Sequence, residues 1–286
     1  MASYRFRIVN VFAESTFGGN PLCVFEDARG MDATCMQALA RQFNLSETTF
    51  ILPSEHADAR VRIFTPGTEM RFAGHPTLGS AHVVRDLLGS GDRLRLEFQA
   101  GIVPVVADGN VWTFTAPATP GALSRPVDLP REQIAHMLGL DDSALLSDPL
   151  WLDTGSDQLL IPLKSSDAVR CAAPRDDLLV QWPLSSLGRK TAYLFAFADD
   201  AHEEVLARYF FVKPDGSTSE DPGTGSACAN LGGWLIETGR ALPARLRVSQ
   251  GEAVLRPCHL LLNVTRERQI QVGGRVIELA RGAVDI

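Results

Sequence analysis

A seven-residue pattern occurs twice in this chain, about half a chain length apart. Residues 75–81 read HPTLGSA and residues 221–227 read DPGTGSA, so each copy joins a titratable residue and a proline to a closing Gly-Ser-Ala. The first residues of the two copies, His75 and Asp221, are 146 positions apart in a chain of 286 residues. A motif repeated at this spacing predicts two similar halves that each contribute one edge of a shared site.

Each copy also lies at the start of a predicted helix. Runs with helical spacing extend over residues 76–88 and 225–238. The first N–H groups of a helix have no partner within the helix, so a helix start can bind an anion. His75 and Asp221 are therefore interpreted as equivalent residues that meet at a pseudo-twofold axis.

Short segments with alternating apolar residues surround both helices. They are residues 5–12, 22–25, 48–52, 59–64, 93–99, 102–107 and 111–116 in the first half, and 150–153, 158–162, 192–198, 204–212, 245–250, 259–266 and 269–277 in the second. Both helices carry small residues, which allow close approach to a sheet. The sequence predicts an α+β fold of two pseudo-symmetric barrel-like domains, each a mostly antiparallel sheet wrapped around a central helix.

The domain boundary is expected in a stretch rich in Pro, Thr and Ala that follows the strands of the first half. Residues 1–117 are assigned to an N-terminal domain and residues 118–276 to a C-terminal domain. Residues 277–286 are expected to pack back onto the N-terminal domain. The length also favours two domains, because single cores stop growing at roughly 250–300 residues.

The net charge of −7 argues against nucleic acid as a partner, because phosphate binding requires a basic surface. No apolar run reaches the roughly 18 residues of a membrane span, and the N-terminus alternates like a strand instead of containing a signal-peptide apolar region. We therefore expect a cytoplasmic protein without a membrane partner. The five cysteines show no CxxC spacing and the six histidines form no ligand motif, so we expect free buried thiols and no metal or other cofactor.

Three titratable residues are candidates for acid/base chemistry. Glu47 follows a predicted helix and precedes a strand, and a carboxylate enclosed in a site has its pKa raised toward neutrality by desolvation. His75 and Asp221 are candidates because of the repeat, although each alone is more often a structural residue. Gly225 and Ser226 lie at the start of the second helix, where a ligand can approach the backbone closely.

At these residues the chain resembles the PhzF family, the phenazine-biosynthesis-like proteins. The matching segments are NVF at 10–12, GNPLCV at 19–24, LSET at 45–48, FTP at 64–66, FAGHPT at 72–77 and EDPGTGSA at 220–227. The resemblance implies a diaminopimelate-epimerase-like fold of two similar domains, usually in a homodimer. It also implies a cofactor-independent isomerase such as the one that acts on trans-2,3-dihydro-3-hydroxyanthranilate.

The resemblance further implies roles for individual residues. Glu47 would remove a proton from one carbon of the substrate and return it to another, while His75 and Asp221 assist. The groups implied to bind a small carboxylate substrate are Asn20, Ser226 and the amides of Gly74 and Gly225.

Three other activities were weighed against this isomerase. Related racemases of this fold use two thiols beside the helix starts, and the absence of cysteine around Gly74 and before Gly225 disfavours that chemistry. A non-catalytic protein that binds a small anion or regulates through it remains open. A lyase or hydrolase that uses Glu47, His75 and Asp221 on an activated bond also remains open.

Overall fold

The alternating apolar segments form strands, and the strands fall into two units. A computed structural model of the protein describes residues 2–117, 122–198, 201–213 and 215–286. Unit 1 contains Met1–Pro117 and Gln271–Ile286, and unit 2 contains Ala118–Ile270. The sequence places the return of the chain to the first domain at residue 277, whereas the strand that carries this return begins at Ile270. Among the described residues, none of the helices has the length and apolar character needed to cross a membrane.

Unit 1 is a closed barrel of eight strands. Its elements are β1 (Ser3–Val11), β2 (Asn20–Phe25), α1 (Ala33–Phe43), β3 (Glu47–Leu52), β4 (Ala59–Phe64), β5 (Glu69–Met70), α2 (Gly74–Leu88), β6 (Arg93–Phe98), β7 (Gly101–Asp108), β8 (Val111–Thr115) and β17 (Ile270–Asp285). The barrel order is β1-β2-β3-β4-β6-β7-β8-β17, and β17 pairs back onto β1. The short strand β5 pairs with the edge of β4 and leads into α2.

Helix α2 is the central helix of this barrel, and its first two turns are buried. A Cβ added at Gly79 would lie 2.6 Å from Leu22 Cδ2, 3.0 Å from Val9 Cγ2 and 3.1 Å from Val11 Cγ2. A side chain at position 79 would therefore force the helix away from β1 and β2. The predicted use of small residues for close approach is confirmed at this position.

Helix α1 connects the parallel strands β2 and β3, as such pairs require. Its N-cap, Asp32, accepts a hydrogen bond from the backbone N–H of Cys35, and its C-cap, Asn44, adopts the left-handed conformation. This crossover pairs Leu22 of β2 with Glu47, the first residue of β3. The local capping signals thus determine where Glu47 enters the barrel wall.

Unit 2 repeats most of this topology. Its elements are β9 (Leu123–Pro126), α3 (Arg131–Met137), β10 (Leu150–Asp153), β11 (Asp157–Pro162), α4 (Ser166–Cys171), β12 (Thr191–Phe197), β13 (Glu204–Val212), β14 (Thr218–Asp221), α5 (Gly225–Glu237), β15 (Ala244–Gln250) and β16 (Cys258–Val264). The strand order is β9-β10-β11-β12-β13-β15-β16, with β14 on the edge of β13. Strands β1 to β7 of unit 1 thus correspond to β10 to β16 of unit 2, and α2 corresponds to α5. The predicted fold of two barrel-like domains, each with a central helix, is confirmed.

The equivalence of His75 and Asp221 predicted from the repeat is wrong. His75 is the second residue of α2, whereas Asp221 ends β14, four positions before α5 begins at Gly225. Aligning the helix starts makes Ser226, the second residue of α5, the equivalent of His75. The two copies of the motif match in letters but not in structure, because Gly-Ser-Ala lies in the second turn of α2 and in the first turn of α5.

Ion pairs in the two units support the alignment based on helix starts. The guanidinium of Arg62 contacts Glu69 at 2.7 Å and lies 5.1 Å from the centroid of the Phe64 ring. In unit 2 the guanidinium of Arg208 contacts Glu220 at 2.7 Å and lies over the ring of Phe210. The two residues of the pair are 7 positions apart in unit 1 and 12 apart in unit 2, so the link from β13 to β14 is longer by five residues. Because of this insertion, α5 begins five positions later than the letter repeat would place it.

Candidate active site

Glu47 and His75 lie together in unit 1. Oε2 of Glu47 is 3.2 Å from Nε2 of His75, and the two side chains are 14% and 4% exposed. Glu47 reaches this position as the first residue of β3, and His75 reaches it from the first turn of α2. The contact has ion-pair distance without hydrogen-bond alignment for Nε2. Sequence analysis predicted both residues, and the fold brings them into contact.

His75 is a neutral histidine. Burial lowers the pKa of His75 to about 3, against the opposing effect of a hydrogen bond from its ring to the backbone carbonyl of Pro21. Because that bond uses the single ring proton, the nitrogen that faces Glu47 presents a lone pair. Pro21 follows Asn20 at the start of β2, and the Asn20 side chain is fully buried. Three predicted site residues, Asn20, Glu47 and His75, therefore belong to one region of unit 1.

Neither central helix is capped by a side chain among the described residues. The N-caps are Ala73 for α2 and Thr224 for α5, and neither side chain accepts a bond from the first-turn amides. Helix α1, by contrast, is capped by Asp32. The backbone N–H groups that begin at Gly74 and Gly225 are therefore left without a capping side chain at Ala73 and Thr224, and their use by a ligand stays a prediction.

Asp221 has a role in holding the start of α5. Its carboxylate accepts a hydrogen bond from the Thr224 hydroxyl at 2.5 Å. The fully buried Gln250 side chain donates to the Asp221 carbonyl at 2.8 Å and to the Thr224 hydroxyl at 3.1 Å. Sequence reasoning missed Gln250, whose only signal is an amide at an inward-facing position of an alternating strand.

Ser226 belongs to a chain of buried polar groups in unit 2. Its hydroxyl accepts a hydrogen bond from Gln158 Nε2 at 3.1 Å, and the other end of the Gln158 amide contacts Asn230. Both amide residues are buried, with 2% and 0% exposure. Sequence analysis did not predict them, although each is a polar residue within an apolar strand or helix.

The strand registers assign unit 2 counterparts to two further residues. Thr48 pairs with Phe64 and Ala192 pairs with Phe210, so Thr191 on β12 is the counterpart of Glu47 on β3. Val24 of β2 pairs with Thr49, and Leu160 of β11 pairs with Tyr193, the counterpart of Thr49, so Ser156 is the counterpart of Asn20. The region of unit 1 that contains Asn20, Glu47 and His75 thus corresponds to three hydroxyl residues, Ser156, Thr191 and Ser226, in unit 2. Two titratable side chains and an amide occupy this region in unit 1, and three hydroxyls occupy it in unit 2.

The buried thiols are protonated, although Cys228 lies two residues after Ser226 and Cys258 pairs with Gln250. Burial raises the pKa of the Cys23, Cys228 and Cys258 thiols well above the usual range. Cys171 is exposed, and Cys35 is partly exposed with its pKa raised by desolvation and by Asp32. The part of the chain that the structure describes contains no cluster of three His, Cys, Asp or Glu residues that could hold a metal ion.

This distribution predicts the reactivity of each thiol. In the native protein at pH 8, a small aromatic disulfide reagent is expected to label Cys171 fast and Cys35 more slowly. Cys23, Cys228 and Cys258 are expected to react only after denaturation, because a buried thiol does not ionise. The absorbance of the released thiolate measures the stoichiometry, and a fast phase that persists in Cys171→Ser would contradict the assignment.

The neutral state of His75 predicts a pH dependence of stability. Unfolded His75 takes up a proton below its ordinary pKa of 6.5, whereas folded His75 does so only near 3. The contribution of neutral His75 to the free energy of unfolding is therefore fully present above about pH 6.5. It falls as the pH decreases, by up to about 1.4 kcal/mol per pH unit. Between pH 7 and pH 5 the native protein is expected to lose about 2 kcal/mol more than His75→Asn.

The free energy of unfolding in urea at the two pH values measures this effect. His56 is exposed, so His56→Asn is a control that should keep the pH dependence of the native protein. A His75→Asn protein with the same pH dependence as the native protein would show that folding leaves the pKa of His75 at its ordinary value.

With the geometry described, comparisons with known proteins place the chain among relatives. The profile of the family described as phenazine biosynthesis-like protein matches residues 9–282. The chain is 38% identical to "Uncharacterized isomerase PM1503" of Pasteurella multocida, over 99% of this chain and 94% of that protein. It is 30% identical to the trans-2,3-dihydro-3-hydroxyanthranilate isomerase of Pseudomonas chlororaphis, over 98% of this chain and 99% of that protein. The crystal structure of a phenazine biosynthesis protein of the PhzF family from Bacillus anthracis has the same fold, with a TM-score of 0.85 at 24% identity over the full length of both chains.

Proposed function

The chain belongs to the phenazine biosynthesis-like protein family and is an isomerase, and from this premise we propose that it moves a proton within a small carboxylate-bearing substrate without a cofactor. The observation that carries the proposal is the contact between Glu47 and neutral His75 in an enclosed part of unit 1. A carboxylate in such a place can take a proton from carbon and return it.

The charge state of His75 supports Glu47 as the group that holds the proton in transit. When the Glu47 carboxylate removes a proton from a substrate carbon, it becomes a carboxylic acid with an O–H group. The lone pair on His75 Nε2, 3.2 Å away, can accept a hydrogen bond from that O–H after a small reorientation. The same O–H then delivers the proton to a second carbon, so the reaction leaves the atom count of the substrate unchanged.

The carbanion left by proton removal requires stabilisation by the conjugation of the substrate and by hydrogen-bond donors. The uncapped N–H groups that begin at Gly74 and at Gly225, with the Ser226 hydroxyl, are such donors. We place the substrate in a cleft between the two units, with both helix starts facing it. Asn20 would bind the substrate there, and Asp221 would keep Thr224 and the start of α5 in place.

The test is incubation with trans-2,3-dihydro-3-hydroxyanthranilate, the substrate in the name of several relatives, in deuterated water. We expect an isomer that contains solvent deuterium, identified by mass spectrometry and chromatography. Loss of a fragment would instead indicate a lyase or hydrolase. Thermal stabilisation without deuterium incorporation or isomer would indicate a protein that binds the ligand without turnover.

A further inference from the structure

The segments that lead into the two central helices have the same length but different anchors. Helices α2 and α5 each begin five positions after the glutamate of an Arg–Glu ion pair, which is Glu69 in unit 1 and Glu220 in unit 2. The two segments therefore align position by position, and Phe72 in unit 1 corresponds to Gly223 in unit 2. The aromatic ring of one unit is replaced by a residue without a side chain in the other.

The strand pairings show that the partner of this ring is replaced as well. Leu96 of β6 pairs with Ala59 of β4, and Val248 of β15 pairs with the counterpart of Ala59 on β13. Leu96 therefore corresponds to Val248, and two positions further along each strand Phe98 corresponds to Gln250.

In unit 1 an aromatic contact holds the start of α2. The Phe72 ring is 4% exposed and lies edge-to-face against the rings of Phe98 and Phe114, with centroids 5.9 Å and 5.6 Å away. The free energy of apolar burial depends little on direction, so this contact tolerates small shifts of the chain.

In unit 2 hydrogen bonds hold the start of α5. Gln250 donates to the Asp221 carbonyl and to the Thr224 hydroxyl, and that hydroxyl donates to the Asp221 carboxylate. Hydrogen bonds weaken steeply when their geometry is lost, so the arrangement requires Asp221 to stay in place. Asp221 ends β14, a strand of four residues on the edge of β13.

Arg208 anchors this short strand. Its Nε and Nη2 atoms contact the Glu220 carboxylate at 3.1 Å and 2.7 Å, and its Nη1 donates to three carbonyls at the end of α4, the shortest bond being 2.7 Å to Ala172. The Arg208 and Glu220 side chains are only 15% and 7% exposed. Without the guanidinium, Glu220 would be a buried carboxylate without its cation, which costs free energy unless the carboxylate moves toward water. Such a movement would also displace Asp221, the next residue.

We propose that Arg208 is a positioning residue for the unit 2 side of the site: through Glu220 it holds β14, so that Asp221 and Thr224 keep the start of α5 in the geometry that receives the substrate. This inference rests on the proposed function for the presence of a substrate at α5. It adds the residue on which the position of that helix start depends.

The ion pair of unit 1 provides a matched comparison. Arg62 contacts Glu69 at 2.7 Å and 2.8 Å, so replacing Arg62 or Arg208 by Met removes the same charge and the same two-pronged contact. The start of α2 keeps the buried Phe72 ring in either case. The two equivalent ion pairs are therefore expected to differ in their importance for the helix starts.

The test compares Arg208→Met with Arg62→Met by hydrogen exchange of two matched backbone amides, followed by NMR without ligand. Cys228 N–H donates to the Thr224 carbonyl at 2.9 Å, and Thr77 N–H makes the corresponding bond in α2 at 3.3 Å. In Arg208→Met the Cys228 amide is expected to exchange at least about tenfold faster, and the Thr77 amide less than about threefold faster. In Arg62→Met both amides are expected to change by less than about threefold.

Kinetics with trans-2,3-dihydro-3-hydroxyanthranilate show whether the position of α5 matters to the substrate. Arg208→Met is expected to raise KM at least about tenfold and to change kcat less than about threefold, because Glu47 and His75 lie in unit 1. Arg62→Met is expected to keep both constants within about threefold. Arg208→Lys keeps the charge without the two-pronged contact, so it should give an intermediate KM, and it replaces Arg208→Met if that protein does not fold. If no turnover occurs, calorimetry with 3-hydroxyanthranilate gives the affinity instead.

The proposal is overturned if Arg208→Met leaves the Cys228 amide within about threefold of its original rate, or accelerates Cys228 and Thr77 equally, as a loss of global stability would. It is also overturned if Arg62→Met accelerates Thr77 as strongly, or if faster exchange of Cys228 comes without a higher KM or a weaker affinity. A protein that neither turns over the substrate nor binds 3-hydroxyanthranilate overturns it too. Deuterium incorporation dependent on Glu47 is measured separately. Unchanged exchange in an active protein therefore refutes this inference alone, and weakened binding in a protein without turnover refutes the isomerase alone.

Discussion

Glu47→Gln is expected to abolish turnover while ligand binding survives. The amide has nearly the same shape as the carboxylate, but it cannot take a proton from carbon. Because the whole proton transfer is assigned to this one group, the loss in kcat is expected to be about 1,000-fold or more. The binding groups at the helix starts are unchanged, so the affinity for a substrate analogue should change by less than about fivefold.

Deuterium incorporation and isomer formation measure the catalytic loss, and calorimetry with 3-hydroxyanthranilate measures binding. Glu55 is exposed, so Glu55→Gln provides a control with the same change in charge and should keep the native rate. A Glu47→Gln protein with more than about a tenth of native turnover would remove Glu47 from the mechanism.

Gly251→Ala is expected to cost at least about 3 kcal/mol of stability and to disturb the start of α5. Gly251 has φ +85°, and an added Cβ would lie 2.5 Å from the carbonyl oxygen of Pro222 and against that of Arg256. Both neighbours are backbone atoms, so relief requires movement of the chain. Pro222 lies between Asp221 and the start of α5, and that movement should weaken the hydrogen bonds from the adjacent Gln250.

Gly216 offers a matched control because its φ is +84° and nothing lies within 4 Å of an added Cβ. Gly216→Ala should cost only about 1–2 kcal/mol, the strain of the left-handed conformation alone. Urea denaturation measures both proteins, and calorimetry with 3-hydroxyanthranilate reports on the start of α5. Equal losses of stability in the two variants would show that the chain near Pro222 adapts without cost.

Local signals in the sequence predicted much of the secondary structure. Helix α1 begins after Asp32 and ends at Asn44 because both caps act within one turn. Residues Asp176–Gln181 form a 3-10 helix, and the prolines at 174 and 183 restrict the backbone on both sides of it. Strands β5, β9 and β14 and helix α4 were not predicted, because these short segments contain few apolar residues.

The candidate site was predicted unevenly. Glu47 and His75 were identified from motif and resemblance, and the fold brings their side chains to 3.2 Å. The pairing of His75 with Asp221 was wrong, because five extra residues between Arg208 and Glu220 shift the register. The insertion lies in the connection before the motif, so the motif letters themselves do not reveal it.

The sequence by itself determined the duplicated fold, the two helix starts and the acid/base candidates, because caps, periodicity and short motifs depend on neighbours along the chain. Only the tertiary structure decided that burial lowers the pKa of His75, that its counterpart is Ser226, and that Asn230 and Gln158 form a buried hydrogen-bonded chain to that hydroxyl. Burial and hydrogen-bond direction arise from residues far apart in sequence, and no pattern along the chain records which of them meet.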